Sequence, residues 1–190
     1  MASNAGGQRN GGVPWRIVGW GFAVALLLLP FVAMQAGADG VDWSRGDFIV
    51  FGLMLVTVGG AFELAVRASG NWAYRGGAAL GLLAMFLVVW ANLAVGIVGN
   101  EHNPWNQLFF LALLIGITSA CLARFRAGGM SVAMLATSVS LMAAYAVARF
   151  NRPEEFGAHL MVELVGTSIF ALLFVGSAAL FRKAARDRIS

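Results

Sequence analysis

The stretch GGAALGLLAMFLVVWANLAVGIV, residues 76–98, decides the fold. Its 23 residues hold no charged side chain and a single amide, Asn92. About 20 apolar residues in a helix cross the roughly 30 Å hydrocarbon core of a bilayer. A segment in hydrocarbon must satisfy its own backbone hydrogen bonds, and the alternating polarity of a barrel strand is missing here, so a helix is the expected form. Five further stretches qualify: 17–35, 48–66, 105–123, 130–148 and 158–181. The expected architecture is an all-α, polytopic transmembrane bundle of six spans over residues 17–181. A Gly/Asn-rich, disordered cytoplasmic tail (1–16) and a basic cytoplasmic tail (182–190) are expected to flank it.

The whole-chain composition agrees. Of 190 residues, 59% are hydrophobic and 12% charged, with mean hydropathy +0.78. A water-facing domain keeps about a quarter of its residues charged, so most of this surface must face something apolar. The net charge of +4 comes from twelve Arg and one Lys in short clusters between apolar runs. That is not the continuous basic face with interleaved aromatics that nucleic acid requires, and no nucleic-acid partner is expected. With Cys121 as the only cysteine, no internal disulfide can form.

Orientation follows from the basic residues. With the N-terminus inside, Arg9, Arg16, Arg67, Arg75, Arg124, Arg126, Arg182, Lys183, Arg186 and Arg188 fall in cytoplasmic segments, and Arg45, Arg149 and Arg152 fall outside, ten against three. All the loops are short enough for the positive-inside rule, which places both termini in the cytoplasm. Trp15, Trp20 and Trp72 then lie at the inner boundary and Trp43 and Trp105 at the outer one, as interfacial aromatic belts do. Residues 9–38 also carry the pattern of a secretory signal, ending in Ala36-Gly37-Ala38. Their apolar core of about 18 residues exceeds the roughly 7–15 of such signals, and a retained first span is expected.

Connections this short leave no room for a nucleotide- or substrate-binding module, so attention falls on polar groups between the helices and at their mouths. Ionisable groups within spans are costly and are candidates by default. Glu63 precedes Arg67 by four residues, so the two share a helix face as an interfacial ion pair or, in the sharper reading, as a proton or cation site. Asn92 should hydrogen-bond across helices, either as packing glue or as the lining of a vestibule. In Asn100-Glu101-His102-Asn103-Pro104, Asn103 is placed to cap a helix that Pro104 begins. Glu101 has no such role. His159 and Glu163 are four apart, and with His102 and Glu101 they are weak candidates for an outer metal site of nitrogen and carboxylate ligands. No tight ligand spacing supports that site. Bis-histidine haem needs histidines facing each other inside the bundle, and a Cys121–His nucleophile is excluded because the two types lie on opposite sides. No cofactor is expected. Small residues at four-residue spacing (Gly77 with Gly81, Gly116 with Ala120, Ala133 with Thr137) mark close helix crossings.

The segment Trp90-Ala-Asn-Leu-Ala-Val-Gly-Ile-Val-Gly99, followed by Asn100-Glu-His-Asn-Pro104 and Asn106, resembles a family of small uncharacterised bacterial integral membrane proteins. That family carries W-x-N-L-A-V-G-I-I-G-S-E-x-N-P-x-N. The similarity extends to Pro30 and Gln35, Phe62-Glu63-Leu64 with Arg67, Gly70-Asn71-x-x-Tyr74-Arg75, Ala123-Arg124-Phe125-Arg126 with Gly129-Met130, and Leu180-Phe181-Arg182. It departs at His102 and around His159 and Glu163. The resemblance implies a multi-pass protein of a bacterial inner membrane and implies no activity. Three functional expectations follow. The first is a non-enzymatic protein acting through helix contacts with membrane-protein partners or its own copies in the lipid bilayer. The second is a small permease with a site near Asn92, Glu63 and the 100–104 turn. The third is a metal-binding protein using His102 and His159.

Overall fold

The computed structural model describes residues 15–151 and 160–187. The described chain is helical, with no strand among the described residues: α1 (Trp15–Gln35), α2 (Arg45–Ala68), α3 (Trp72–Ala94), a 3-10 turn (Pro104–Asn106) running into α4 (Gln107–Leu122), α5 (Ala127–Phe150) and α6 (Leu160–Arg186). Six helical stretches, counting the 3-10 turn with α4, are long and apolar enough to cross a membrane. Large apolar side chains remain exposed along them, among them Val132, Val139, Met161 and Leu172. Water penalises such a surface, and a bilayer covers it.

The chain divides into two compact units, Met1–Gly59 and Gly60–Ser190. In the first, α1 meets the first half of α2 where glycines leave room. Trp20 lies over Gly59, whose missing Cβ would sit 3.1 Å from the indole, and Leu27 packs over Gly52. α2 starts with a reciprocal cap: the Ser44 N–H donates to Asp47 Oδ2 (2.7 Å) and the Asp47 N–H to Ser44 Oγ (3.3 Å). The Trp43 indole meets Phe48 and Phe51 edge-on just before it.

In the second unit α5 is central, packing on both α4 and α6, while α6 also packs on α3. Small residues set these crossings. A Cβ on Gly77 would meet the Phe181 ring at 3.0 Å, and one on Gly81 would meet Ser177 Oγ at 2.9 Å and Met134 Sδ at 3.0 Å. Ser177 Oγ donates to the Gly77 carbonyl (2.7 Å) and Ser138 Oγ to the Ala171 carbonyl (3.0 Å). A Cβ on Gly116 would clash with the Thr137 hydroxyl, which back-bonds to the Ala133 carbonyl at 2.9 Å. The core between them holds the fully buried Phe109, Phe174, Phe181, Leu141 and Val88. The small-residue face of α5 is thus used inside the unit.

Several boundaries differ from hydropathy alone, each for a local polar reason. α3 begins at Trp72 rather than Gly76, because Asn71 Oδ1 accepts from the Ala73 and Tyr74 N–H groups. Arg75 is therefore helical. Its guanidinium turns back to the Ser69 (2.7 Å) and Val66 (3.1 Å) carbonyls, neutralising the C-terminus of α2. At its other end α3 stops at Ala94 instead of Val98, where Gly96 turns into the left-handed region (φ +76). α6 runs on to Arg186, so Arg182 and Lys183 belong to its last turns instead of a tail, and Lys183 Nζ lies 5.3 Å from the Trp72 ring centroid.

Candidate functional site

One end of the second unit is organised by an amide that the sequence offers only as part of a motif. Asn106 closes the 3-10 turn, buried to 5% exposure. Its Oδ1 accepts from the Ile97 N–H (3.2 Å) and the Val98 N–H (3.0 Å). Its Nδ2 donates to the Asn100 carbonyl (2.7 Å) and the Val98 carbonyl (3.3 Å), and its own carbonyl accepts from Asn92 Nδ2 (3.0 Å). Four backbone groups of the irregular 95–103 connection are thus satisfied by one side chain. Gly96 is required on two counts. Its φ is positive, and an added Cβ would run into the Asn100 backbone and lie 2.7 Å from Asn106 Nδ2. Asn103 caps the turn, accepting from the Trp105 N–H at 3.1 Å, with Pro104 at the first position.

The second feature is a buried ion pair. Arg149, in the last turn of α5, pairs through its guanidinium with Glu163, in the first turn of α6. Their side chains are only 7% and 9% exposed. The other carboxylate oxygen of Glu163 accepts from the Gly99 N–H at 2.9 Å. One carboxylate therefore ties α5, α6 and the α3–α4 connection together. Sequence reading places Arg149 in an outer loop and Glu163 beside His159. The structure makes Arg149 helical, keeps Glu163 in the last span, and partners them across 14 residues, while His159 lies outside the described residues. Opposite charges at the facing ends of consecutive apolar segments were the available signal.

Beside this pair, between the end of α3 with its following connection and the start of α6, lies a cleft of about 280 Å³. Its walls include Ala91, Val95 and Gly99 on one side and Glu163, Gly166, Thr167 and Phe170 on the other. Thr167 is wholly buried, and its hydroxyl has no hydrogen-bond partner among the described residues.

The remaining candidates do not converge. Glu63 and Arg67 pair at 3.1 Å along α2, with Arg67 63% exposed. They sit at the end of the unit where α2 passes into α3, whereas Asn92 lies near the other end. The 18 residues from Tyr74 to Asn92 alone rise about 27 Å. Glu101 pairs with His102 Nδ1 (3.3 Å) on the surface, where His102 is 86% exposed. Glu163 is committed to Arg149 and Gly99, and no group of three His, Cys, Asp or Glu close enough to hold a metal occurs among the described residues. Cys121 is exposed. At the end opposite Asn106, the Tyr74 hydroxyl donates to the Phe125 carbonyl (2.8 Å), holding a corner in which Arg124 and Phe125 both take positive φ (50 and 55).

No family model, curated protein or solved structure matches this chain.

Proposed function

We propose that the chain is a six-span protein of a bacterial inner membrane, both termini cytoplasmic, that acts without catalysis through helix contacts with partner membrane proteins or its own copies. One observation carries this reading: the polar side chains that the sequence singles out bond to the chain's own backbone or to one another. Asn92, Asn103 and Asn106 fold the 95–106 connection, Glu163 and Arg149 join three elements, and Glu63 pairs with Arg67. Arg75, Arg124, Arg126, Arg182, Lys183 and Arg186 flank one end of the second unit. With Glu163 neutralising Arg149, the opposite end is nearly without net positive charge, which supports the cytoplasmic placement of the basic end. The resemblance to small bacterial membrane proteins supports the compartment.

The test is site-specific photo-cross-linking in intact membranes from exposed apolar positions, Val139 on α5 (68% exposed) and Leu172 on α6 (66%). A discrete adduct with one protein mass, retained in Glu63→Gln and Asn92→Ala, supports contact-driven action. Cross-links to lipid alone from every such position contradict it.

A further inference from the structure

Three features of the cleft between α3 and α6 point to a ligand. First, its polarity is graded. Gly99 and Glu163 stand at one end, Thr167 lies one turn further along α6, and Phe170 and Ala91 close the other end. From Glu163 to Phe170 the helix rises about 10 Å. Second, the space is unfilled by the described residues: a Cβ on Gly166 would meet none of them within 4 Å, although the same helix is tightly packed around Gly176, whose Cβ would lie 2.9 Å from Leu80. Third, the Thr167 hydroxyl is fully buried without a partner, a state that costs about 1–3 kcal/mol unless something bonds to it.

An amphiphile fits this gradient, its polar part at Glu163 and its chain along Gly166 and Phe170. The polar wall also selects the head. A carboxylate has about four acceptor sites and Glu163 uses one for Arg149 and one for Gly99, which leaves acceptor capacity on a residue of the wall. Thr167 adds a further acceptor together with its one donor. Among the described residues the wall holds no cation, Arg149 being engaged on Glu163, so what it offers a headgroup is acceptors for N–H donors. We propose that this cleft is a lipid site selective for a primary-ammonium headgroup, as in phosphatidylethanolamine, whose N–H groups reach Glu163 and Thr167 while the first part of one acyl chain fills the space beside Gly166. A volume of about 280 Å³ is near the roughly 300 Å³ lower end for ligand pockets, and it suits part of a lipid instead of a whole one. The inference rests on the chain lying in a bilayer and not on its protein contacts, which the cross-linking experiment tests separately.

The test is native mass spectrometry of the full-length protein in detergent, titrated with phosphatidylethanolamine, phosphatidylcholine (no N–H donors) or phosphatidylglycerol (no ammonium) of equal chain length. Wild type is expected to retain the ethanolamine lipid at least about tenfold more tightly than either other lipid. Gly166→Leu fills the cleft and abolishes that preference. Thr167→Val removes one neutral hydrogen bond and weakens retention roughly three- to tenfold. The valine variant also carries a readout that a purely structural threonine would not give. Without lipid it melts no lower than wild type, since a partnerless hydroxyl is lost, and it gains less than wild type when the ethanolamine lipid is added. Equal retention of all three lipids, or an undiminished ethanolamine preference in Gly166→Leu, overturns the proposal. Should Gly166→Leu not fold, the pair of Thr167→Val measurements decides alone: an unchanged preference overturns it, and a preference reduced about threefold or more sustains it.

Discussion

Replacing Asn106 by alanine should be among the most damaging single changes outside the apolar core. The side chain makes four hydrogen bonds to the backbone of residues 97–100. The Val98 carbonyl, although buried, gives up only a long bond of 3.3 Å, and the Asn100 carbonyl, on an exposed residue, reaches water at little cost. The Ile97 and Val98 N–H groups cannot, because those residues are 7% and 0% exposed. Each buried donor left unpaired costs about 1–3 kcal/mol, so Asn106→Ala should lose about 2–6 kcal/mol. Asn106→Asp keeps the acceptor but faces the Val98 and Asn100 carbonyls with a charge instead of a donor, and should be no better. The assay is reversible denaturation in mixed micelles, paired with hydrogen exchange by residue. Protection should vanish at Ile97 and Val98 while the α5–α6 crossing keeps its own. A loss under about 0.5 kcal/mol with unchanged exchange at these two amides would refute the reasoning, since a surface substitution does no more than that.

Arg149→Met, which takes the guanidinium from the buried Glu163 carboxylate, should cost about 3–5 kcal/mol, whereas the double variant with Glu163→Gln should cost clearly less than the sum of the single changes; a double-mutant cycle in the same denaturation assay measures the coupling. Gly116→Ala forces α4 from α5 at Thr137 and should lose about 1–3 kcal/mol. Thr137→Ala in that background should restore part of it, because the remaining contact is with the residue-137 Cβ at 3.2 Å, read out as melting temperature. Tyr74→Phe removes one bond to the Phe125 carbonyl and should cost about 1 kcal/mol, with faster exchange confined to the 121–126 corner. Glu63→Gln should change stability by less than about 1 kcal/mol, because its partner Arg67 is mostly exposed.

The number and order of the helices were legible because hydrocarbon imposes one demand on every span, length without charge, and 76–98 meets it without other information. The close crossings were legible for a related reason. Gly77, Gly81 and Gly116 stand at helical spacing with other small residues in apolar spans, and Phe181, Ser177 and Thr137 approach them. Hydropathy failed at helix ends, where polar side chains bonded to backbone decide. Arg75 reads as a loop charge until its guanidinium is seen on the carbonyls of α2, and Asn71 moves the start of α3 four residues earlier. The site was half legible. Asn92 and Asn103 could be singled out because amides in apolar text need partners. The role of Asn106 depends on bonds to residues six to nine positions back in an irregular turn, which no periodicity encodes. The pairing of Arg149 with Glu163 depends on how two antiparallel helices meet, and the histidines drew attention from it.

The central claim is that the Asn106 end and the Tyr74 end of the second unit face opposite sides of one membrane, the Asn106 end outward. The direct measurement is labelling of single cysteines by a membrane-impermeant maleimide in intact cells, in a Cys121→Ala background. Cysteines placed at Asp39, Asn100 and Glu101 should label in intact cells, and those at Ser69, Arg124 and Asp187 only after permeabilisation. Labelling of Arg124→Cys or Asp187→Cys in intact cells, or protection of Asn100→Cys, would contradict the account.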